Sequence, residues 1–258
     1  MFIRPHSSQR IVSFLKKMRY FYFTNIKGFH HNLAQKGELE SAVRFMKSND
    51  DLVPLLNKIE LLRDRRMDNY LVQHVPFIRD FFRDIQSYKR FCKEMEGKRC
   101  LEVGSGPIGA LVLMPWIAER IIIEPLADKY RKFQMELFDK TFFTNDIQVY
   151  SQNAEVFIPS LKDSITGCIV SRNALDHCED PWLILDNISR YAASGCKFLL
   201  WTDLWHLEDI DSKHRNITKN KDMFEKRLMD LGFKIDSVFS DVREDKSTIE
   251  YGCIATRF

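Results

Sequence analysis

The strongest constraint on the fold is a short apolar run that ends in a glycine-rich turn. Residues 100–109 read C-L-E-V-G-S-G-P-I-G, so Leu101 and Val103 end a run typical of a buried parallel strand. Gly104 and Gly106 then let the backbone of the turn approach a ligand closely. The glycines match the G-x-G-x-x-G pattern of nucleotide-binding β-α-β units, which is weak evidence when it stands alone.

A second apolar strand ends in an acid at the distance that this pattern requires. Residues 121–123 are all isoleucine, and Glu124 follows them, 22 residues after Glu102. In a β-α-β unit, an acid at about this distance accepts hydrogen bonds from ribose hydroxyls. Because ligands bind at the carboxyl ends of parallel strands, we expect both acids and the glycine turn to face one crevice.

Both NAD and S-adenosylmethionine fit a crevice of this kind. A dinucleotide needs backbone N–H groups at the start of a helix for its pyrophosphate, and Pro107 removes one of them. Glu102 also places an acid where a phosphate would lie. S-adenosylmethionine has no phosphate, and its sulfonium and ammonium groups suit an acidic pocket. The residues favour S-adenosylmethionine and leave an NAD-dependent oxidoreductase as the alternative.

Four segments in this order resemble the motifs of class I S-adenosylmethionine-dependent methyltransferases, especially their type 11 group. They are E-V-G-S-G-P-I-G at 102–109, I-I-E-P-L-A-D-K-Y at 122–130, Q-N-A-E at 152–155 and S-R-N-A-L-D-H-C-E-D-P at 171–181. The resemblance covers about residues 97–258. It implies an α/β fold with a Rossmann-like, mostly parallel seven-stranded sheet that ends in an antiparallel hairpin.

The resemblance also implies which residues hold the cofactor. Glu102 and the glycines flank the methionine moiety, Glu124 holds the ribose, and Asn153 and Ala154 meet the adenine. The family usually has an acid where Asn153 stands, and an amide oxygen can still accept from the adenine amine. The predicted cofactor-binding residues, all within these motifs, are Glu102, Gly104, Ser105, Gly106, Glu124, Asn153, Ala154 and Asn173.

Apolar runs and capping signals predict the order of elements from residue 97 onward, where strands and helices alternate as in a parallel sheet. Parallel strands are expected at 99–103, 120–124, 147–150, 166–171 and 197–202, and a hairpin at 233–242 and 248–257. Asp180 and Pro181 predict the start of a helix over 181–193, and a helix over 222–231 stops at Gly232.

The first 37 residues differ in charge from the rest of the chain. They contain seven basic residues and no acid, so the remainder has a net charge of −4 although the whole chain has +3. Apolar residues at helical spacing between Ile11 and Tyr22 predict an amphipathic basic helix. Such a helix lies on an anionic membrane surface, serves as a targeting segment or packs on the protein body. We assign 1–96 to a basic and aromatic helical extension, a lid or a contact for acceptor or membrane, and 97–258 to the methyltransferase domain.

The cysteines and the lack of long apolar runs indicate where in the cell the protein is located. The six cysteines include no C-x-x-C pair, and free thiols of this kind suit a reducing compartment. No apolar run approaches the ~18 residues that a membrane span needs. We therefore expect a cytoplasmic protein with a peripheral membrane contact through residues 1–37.

A base is needed only if the methyl acceptor keeps its proton at neutral pH. His177 is the predicted base, with Asp176 beside it, because histidine has the side-chain pKa nearest neutrality. The alternative is that this pair only supports the pocket. Positioning of the acceptor against the sulfonium is the larger contribution expected from the protein.

Acids and histidines also follow the last parallel strand. Their spacing matches no standard ligand pattern, so no metal site is predicted. They are Asp203, His206, Glu208, Asp209, Asp211 and His214.

The loop after the fourth strand bears on the acceptor. Residues 171–174 read S-R-N-A and lack the Asn/Asp-Pro-Pro-aromatic motif by which nucleic-acid amino-methyltransferases resemble one another. A nucleic-acid substrate is therefore not expected. The predicted reaction is O-methylation of a small-molecule, lipid or glycan acceptor. The competing class is a non-catalytic methyltransferase-like scaffold or assembly factor.

Overall fold

The centre of the protein is one seven-stranded sheet, seen in a computed structural model that describes residues 58–82, 84–206, 216–242 and 248–258. The strand order is β3-β2-β1-β4-β5-β7-β6; β1 to β5 are parallel, and β7 is antiparallel to both β5 and β6. This confirms the predicted mostly parallel sheet with an antiparallel hairpin. Strands β1 to β7 are Arg99–Val103, Glu119–Ile123, Ile147–Tyr150, Cys168–Arg172, Lys197–His206, Phe233–Val242 and Thr248–Arg257.

The central strands are apolar throughout because both faces of the sheet are buried. Side chains alternate between the faces of a strand. Accordingly, Ile122 packs into one apolar core, while Ile121 and Ile123 pack into another on the opposite side. None of the three is more than 1% exposed. This burial explains why β2 reads as an unbroken β-branched run and not as an alternating one.

The C-terminal hairpin has the predicted bounds for both of its strands. β7 is inserted between β5 and β6, so the last strand of the chain is not the edge of the sheet. A dinucleotide-binding sheet with the order 3-2-1-4-5-6 has no such insertion. Residues 243–247, which connect the two strands, lie outside the described residues.

Seven α-helices are present in the described part of the chain. Three of them begin after an Asp or Asn side chain that accepts a hydrogen bond from the third helical residue, as in Asp180 to the Leu183 N–H at 3.0 Å. Helix α6 ends two residues earlier than predicted, and α7 lies one residue earlier. Helices α1 to α7 are Ile59–Arg63, Asp68–His74, Pro76–Phe81, Ile85–Met95, Ala127–Phe138, Pro181–Tyr191 and Lys221–Asp230.

Strict alternation of strands and helices was the wrong expectation for two connections. Between β1 and β2 the described chain forms only a 3₁₀ turn, Leu111–Leu113, and between β3 and β4 only Pro159–Leu161. Pro107 and Pro115 flank the first of these turns, and a proline lacks the N–H that helical hydrogen bonding needs. β5 also continues to His206, four residues beyond its predicted end.

Helices α1 to α4 cover the same face of the sheet as α5. Their apolar side chains, such as Ile78, Phe91 and Met95, belong to one core with Ile122 of β2 and Val170 of β4. The described part of the predicted extension thus packs directly on the sheet. Residues 1–57 lie outside the described residues, as does the predicted basic helix within them. No helix in the described ranges combines the length and the apolar character needed to cross a membrane.

Candidate active site

A cavity of about 350 Å³ lies at the carboxyl ends of β1, β2 and β4. This is the edge where ligands bind in open α/β sheets, and the volume falls in the range of small-molecule sites. The residues predicted to bind the cofactor all line it, and so does His177, whereas Asp176 lies behind the wall. The predicted residues that line the cavity are Glu102, Gly104, Ser105, Gly106, Glu124, Asn153, Ala154, Asn173 and His177.

The glycine turn forms one wall, and two of its glycines are required by geometry. Gly104 has φ +73° and Gly106 has φ +59°, which is the left-handed region that side chains disfavour. A Cβ atom on Gly104 would also lie 2.3 Å from the Cβ of Ala174 in the loop after β4. A side chain at position 104 would therefore clash with the loop after β4.

Gln134 on α5 holds the glycine turn from behind. Its side chain is fully buried. The Nε2 group donates to the carbonyl of Pro107 at 2.5 Å, and Oε1 accepts from the N–H of Phe142 at 2.8 Å. Nothing in the sequence marks this glutamine as part of the site, because its contacts are with residues distant in the chain.

Glu102 is bonded to the backbone that follows the turn. Its two carboxylate oxygens accept hydrogen bonds from the N–H groups of Ala110 at 2.7 Å and Leu111 at 2.9 Å. Burial raises the pKa of Glu102 to about 7, although these two donors act in the opposite direction. A Cβ on Gly109 would meet the carboxylate at 2.4 Å, so the third glycine makes room for this acid.

The acid at the end of β2 closes the turn from the other side. Glu124 is 5% exposed. Its Oε2 accepts from the Gly106 N–H, and its Oε1 accepts from the Leu126 N–H, both at 2.9 Å. Both acids named from the sequence therefore fix the backbone of the cavity wall.

The loop after β3 forms the third side of the cavity and is fixed by α6. Asn187, which is buried, donates through Nδ2 to the carbonyls of Ala154 and Glu155, both at 2.9 Å. The Glu155 carboxylate in turn accepts from the N–H of Glu179 at 2.9 Å. Sequence reasoning missed Asn187, since only its position in helix α6 shows that it faces this loop.

The loop after β4 carries the histidine. Asn173 has φ +50°, a conformation that Asn tolerates better than most residues, and its N–H donates to the Trp201 carbonyl at 2.6 Å. Its side-chain Nδ2 lies 3.5 Å from Nε2 of His177. The same histidine nitrogen lies 3.5 Å from Oδ2 of Asp176, which is fully buried. The predicted pair is thus in contact, with His177 at the cavity and Asp176 behind it.

Arg172, the last residue of β4, brings a positive charge to the cavity wall. Its guanidinium lies 3.6 Å from the carboxylate of Asp80 on α3. Burial raises the pKa of Asp80, and the attraction to Arg172 offsets only part of that rise. Arg172 lies within the fourth sequence motif and had no predicted role. Its place beside Asn173, at the end of a strand, was the available signal.

The structure describes two of the six acids and histidines that were predicted to follow the last parallel strand. Asp203 and His206 belong to β5 itself. Glu208, Asp209, Asp211 and His214 lie outside the described ranges.

No protein-family model matches the sequence, and no curated protein matches it. Among solved structures, an S-adenosylmethionine dependent methyltransferase from Mesorhizobium loti is similar, with a TM-score of 0.50, 14% identity, and coverage of 69% of this chain and 99% of that chain. The chain shares its fold with a methyltransferase. At this identity the likeness shows the fold alone.

Two further structures are similar at slightly lower scores. Phosphoethanolamine N-methyltransferase 2 from Haemonchus contortus, in complex with S-adenosyl-L-methionine, has a TM-score of 0.49 and 14% identity, with 66% of this chain and 51% of that chain covered. The [4+2]-cyclase SpnF has a TM-score of 0.49 and 12% identity, with 67% of this chain and 80% of that chain covered.

Proposed function

We propose that this protein transfers the methyl group of S-adenosylmethionine to an oxygen of a small-molecule, lipid or glycan acceptor. The proposal rests on one observation: the backbone N–H groups after the glycine turn already donate hydrogen bonds to a side chain of the protein. In a dinucleotide site such N–H groups receive the pyrophosphate. Here the N–H groups of Ala110 and Leu111 are bound to Glu102, and no α-helix follows in this described connection. An NAD-binding function is disfavoured for the same reason.

The charges around the cavity match those of S-adenosylmethionine. Four glutamates line it, and a sulfonium and an ammonium are attracted to such a wall. Arg172 is placed to pair with the carboxylate of the methionine moiety, because guanidinium binds carboxylate in a well-matched geometry. The four acids are Glu102, Glu124, Glu155 and Glu179.

Glu124 is placed to hold the ribose. Its carboxylate lines the cavity, and the two oxygens accept hydrogen bonds from the N–H groups of Gly106 and Leu126. These bonds fix the direction of both oxygens before a ligand arrives, which lowers the ordering cost of binding. The adenine would then lie against Asn153 and Ala154, whose loop Asn187 fixes.

His177 supports an oxygen acceptor. A hydroxyl keeps its proton at neutral pH and needs a base as the methyl group is transferred. His177 lines the cavity and has a buried carboxylate behind it, at 3.5 Å. Such a carboxylate stabilises the imidazolium that forms when the histidine takes a proton, as in other acid-histidine pairs.

The experiment that tests this function is transfer of radiolabelled methyl groups from S-adenosylmethionine to a panel of hydroxyl compounds. The panel contains phenols, sugars and lipid-linked sugars, each with an amine analogue of the same size. We expect label in a hydroxyl compound and none in its amine analogue. Label in the amine analogues alone would contradict the oxygen acceptor. Binding of cofactor without transfer to any compound would favour the scaffold class.

We also infer that residues 1–37 contact an anionic membrane surface, which is where a lipid-linked acceptor would be found. The inference rests on the seven basic residues and on the aromatic cluster Tyr20–Phe23. Each Lys or Arg near such a surface contributes about 1 kcal/mol, and salt weakens the attraction. The full chain should co-sediment with phosphatidylserine vesicles at low salt, and replacement of Lys16, Lys17 and Arg19 by Gln should reduce this. Equal sedimentation of the wild-type and the substituted chain would indicate that residues 1–37 pack on the protein body instead.

A further inference from the structure

Three side chains with metal-ligating atoms meet beside the cavity, although the sequence predicted no metal site. Asp176 comes from the 3₁₀ turn Leu175–His177, and Asp203 and His206 come from β5. One ligand atom from each residue lies within 4.8 Å of the others. The spacing along the sequence conceals this group, because Asp176 belongs to a different element from the other two.

A β-bulge brings Asp203 and His206 together. Residues three apart in a regular strand point to opposite faces. Here Asp203 pairs with Glu250, and Trp205 pairs with Ile249, so Leu204 is an extra residue in β5. One extra residue restores the two side chains to the same face, and bulges of this kind commonly re-aim side chains next to functional sites.

The bulge is fixed by the residues that precede α7. The carbonyl of Leu204 accepts hydrogen bonds from the N–H groups of Ile217 at 2.9 Å and Thr218 at 3.0 Å. The N–H of His206 donates to the side-chain oxygen of Asn216 at 2.6 Å. The position of His206 is therefore set by contacts outside β5 as well as by its pairing with β7.

The ring of His206 is oriented as in a metal-binding histidine. Its Nδ1 lies 3.3 Å from the hydroxyl of Thr248. Its Nε2 faces both carboxylates, at 3.5 Å from Asp203 Oδ2 and 4.0 Å from Asp176 Oδ2. Metal ligands of this type usually have their second ring nitrogen bonded to an oxygen, which directs the lone pair of the first toward the ion.

The negative charge of the two buried carboxylates also favours a bound cation. Asp176 is 0% exposed and Asp203 is 5% exposed. Two carboxylates close together in a buried place repel each other, and buried charges are normally paired or bound to metal. A divalent ion neutralises both carboxylates at once, whereas a proton on His206, or on His177 beside Asp176, supplies one positive charge at a time.

We propose that Asp176, Asp203 and His206 bind a divalent metal ion of the Mn²⁺ type. Two carboxylate oxygens and one imidazole nitrogen form a donor set that suits such ions. The ion would join the turn after β4 to the end of β5 and so fix Asp176, which contacts His177 at the cavity. The site is distinct from the proposed cofactor pocket, and its occupation does not depend on S-adenosylmethionine.

The test is titration of the full chain, dialysed against EDTA, with MnCl₂ in the absence of cofactor. Mn²⁺ is the probe because the six thiols of the chain compete for softer metals such as Zn²⁺. We expect one ion bound per chain, seen by calorimetry and by loss of the free Mn²⁺ paramagnetic resonance signal. We also expect a rise in melting temperature, since the ion binds only the folded chain.

Asp203→Asn should weaken Mn²⁺ binding more than tenfold, and the exposed control Asp230→Asn should bind like the wild type. His206→Gln serves as a second variant with the same expected loss, in case Asp203→Asn does not fold. Absence of Mn²⁺ binding to the wild-type chain would overturn the proposal. Undiminished binding in a folded Asp203→Asn or His206→Gln variant would overturn it as well.

Discussion

The two sides of the cavity satisfy their buried carboxylates in different ways. On the side of β1 and β2, Glu102 and Glu124 accept hydrogen bonds from backbone N–H groups that lie within 18 residues in the chain. On the side of β4 and β5, Asp176 and Asp203 face the histidine side chains and each other.

The two sides of the cavity should therefore differ in rigidity. Backbone donors have fixed positions, so the β1–β2 side should hold its shape whether or not a ligand is present. Contacts between titratable side chains change with protonation and with bound ions, so the geometry of the β4–β5 side should depend on pH and on bound metal. We therefore propose that the first side holds the ribose and that proton transfer takes place on the second.

The largest expected effect is on turnover, from His177→Ala. If His177 takes the proton of the acceptor, turnover should fall by roughly 10²–10⁴ while cofactor affinity is retained, because the β1–β2 side is unchanged. Steady-state kinetics and calorimetry on the same variant measure both quantities. His74→Ala, at an exposed helical position, is the control. A parallel loss of affinity and turnover would show that His177 only supports the pocket.

The next effect is a pH-dependent loss of stability that Glu102 causes. Its pKa is raised from 4.5 to about 7 in the folded chain, so the folded state holds a proton that the unfolded state releases. Stability should therefore fall as pH rises from about 4.5 to about 7, by on the order of 3 kcal/mol. Urea denaturation at pH 5 and pH 8 measures this change.

The glutamine side chain in Glu102→Gln does not titrate, so the free energy of unfolding of this variant should lose most of that pH dependence. Glu119→Gln, at an exposed position on β2, should keep the wild-type dependence. The same slope in wild-type and Glu102→Gln proteins would mean that Glu102 is ionised throughout the range. The backbone donors would then outweigh its burial.

A smaller effect is expected on cofactor affinity from Glu124→Ala. The change removes charge-assisted hydrogen bonds to the ribose, each contributing roughly 1.5–3 kcal/mol, so affinity should fall more than tenfold. Glu124→Gln keeps one acceptor oxygen and should lose less, and Glu136→Ala on α5 should bind like the wild type. Unchanged cofactor affinity in a folded Glu124→Ala protein would contradict the proposed ribose site at the end of β2.

The two sides also differ in how far the sequence predicted them. On the β1–β2 side, Glu102, the glycines and Glu124 lie in short motifs, and parallel strands bring their carboxyl ends together without further information. The bounds of β1 and of the hairpin strands were predicted in full. The exception is the connection after Gly106, where a helix was expected and the prolines leave only a 3₁₀ turn.

On the β4–β5 side, the sequence predicted the pair Asp176 and His177, but not that Asp176 lies beside Asp203 and His206. Period-two alternation places Asp203 and His206 on opposite faces, and only the bulge at Leu204 brings them together. That bulge depends on Ile217 and Thr218, whose N–H groups bind the Leu204 carbonyl. Contacts of this range leave no pattern in the sequence, and the same holds for Gln134 and Asn187.

The most direct test of the proposed function is calorimetric titration of the wild-type chain with S-adenosylmethionine, and separately with S-adenosylhomocysteine and NAD⁺. The acidic cavity and the occupied amides of Ala110 and Leu111 predict one site per chain for the first two ligands and no binding of NAD⁺. Binding of NAD⁺, or no heat from either S-adenosyl compound, would contradict the assignment of this cavity to methyl transfer.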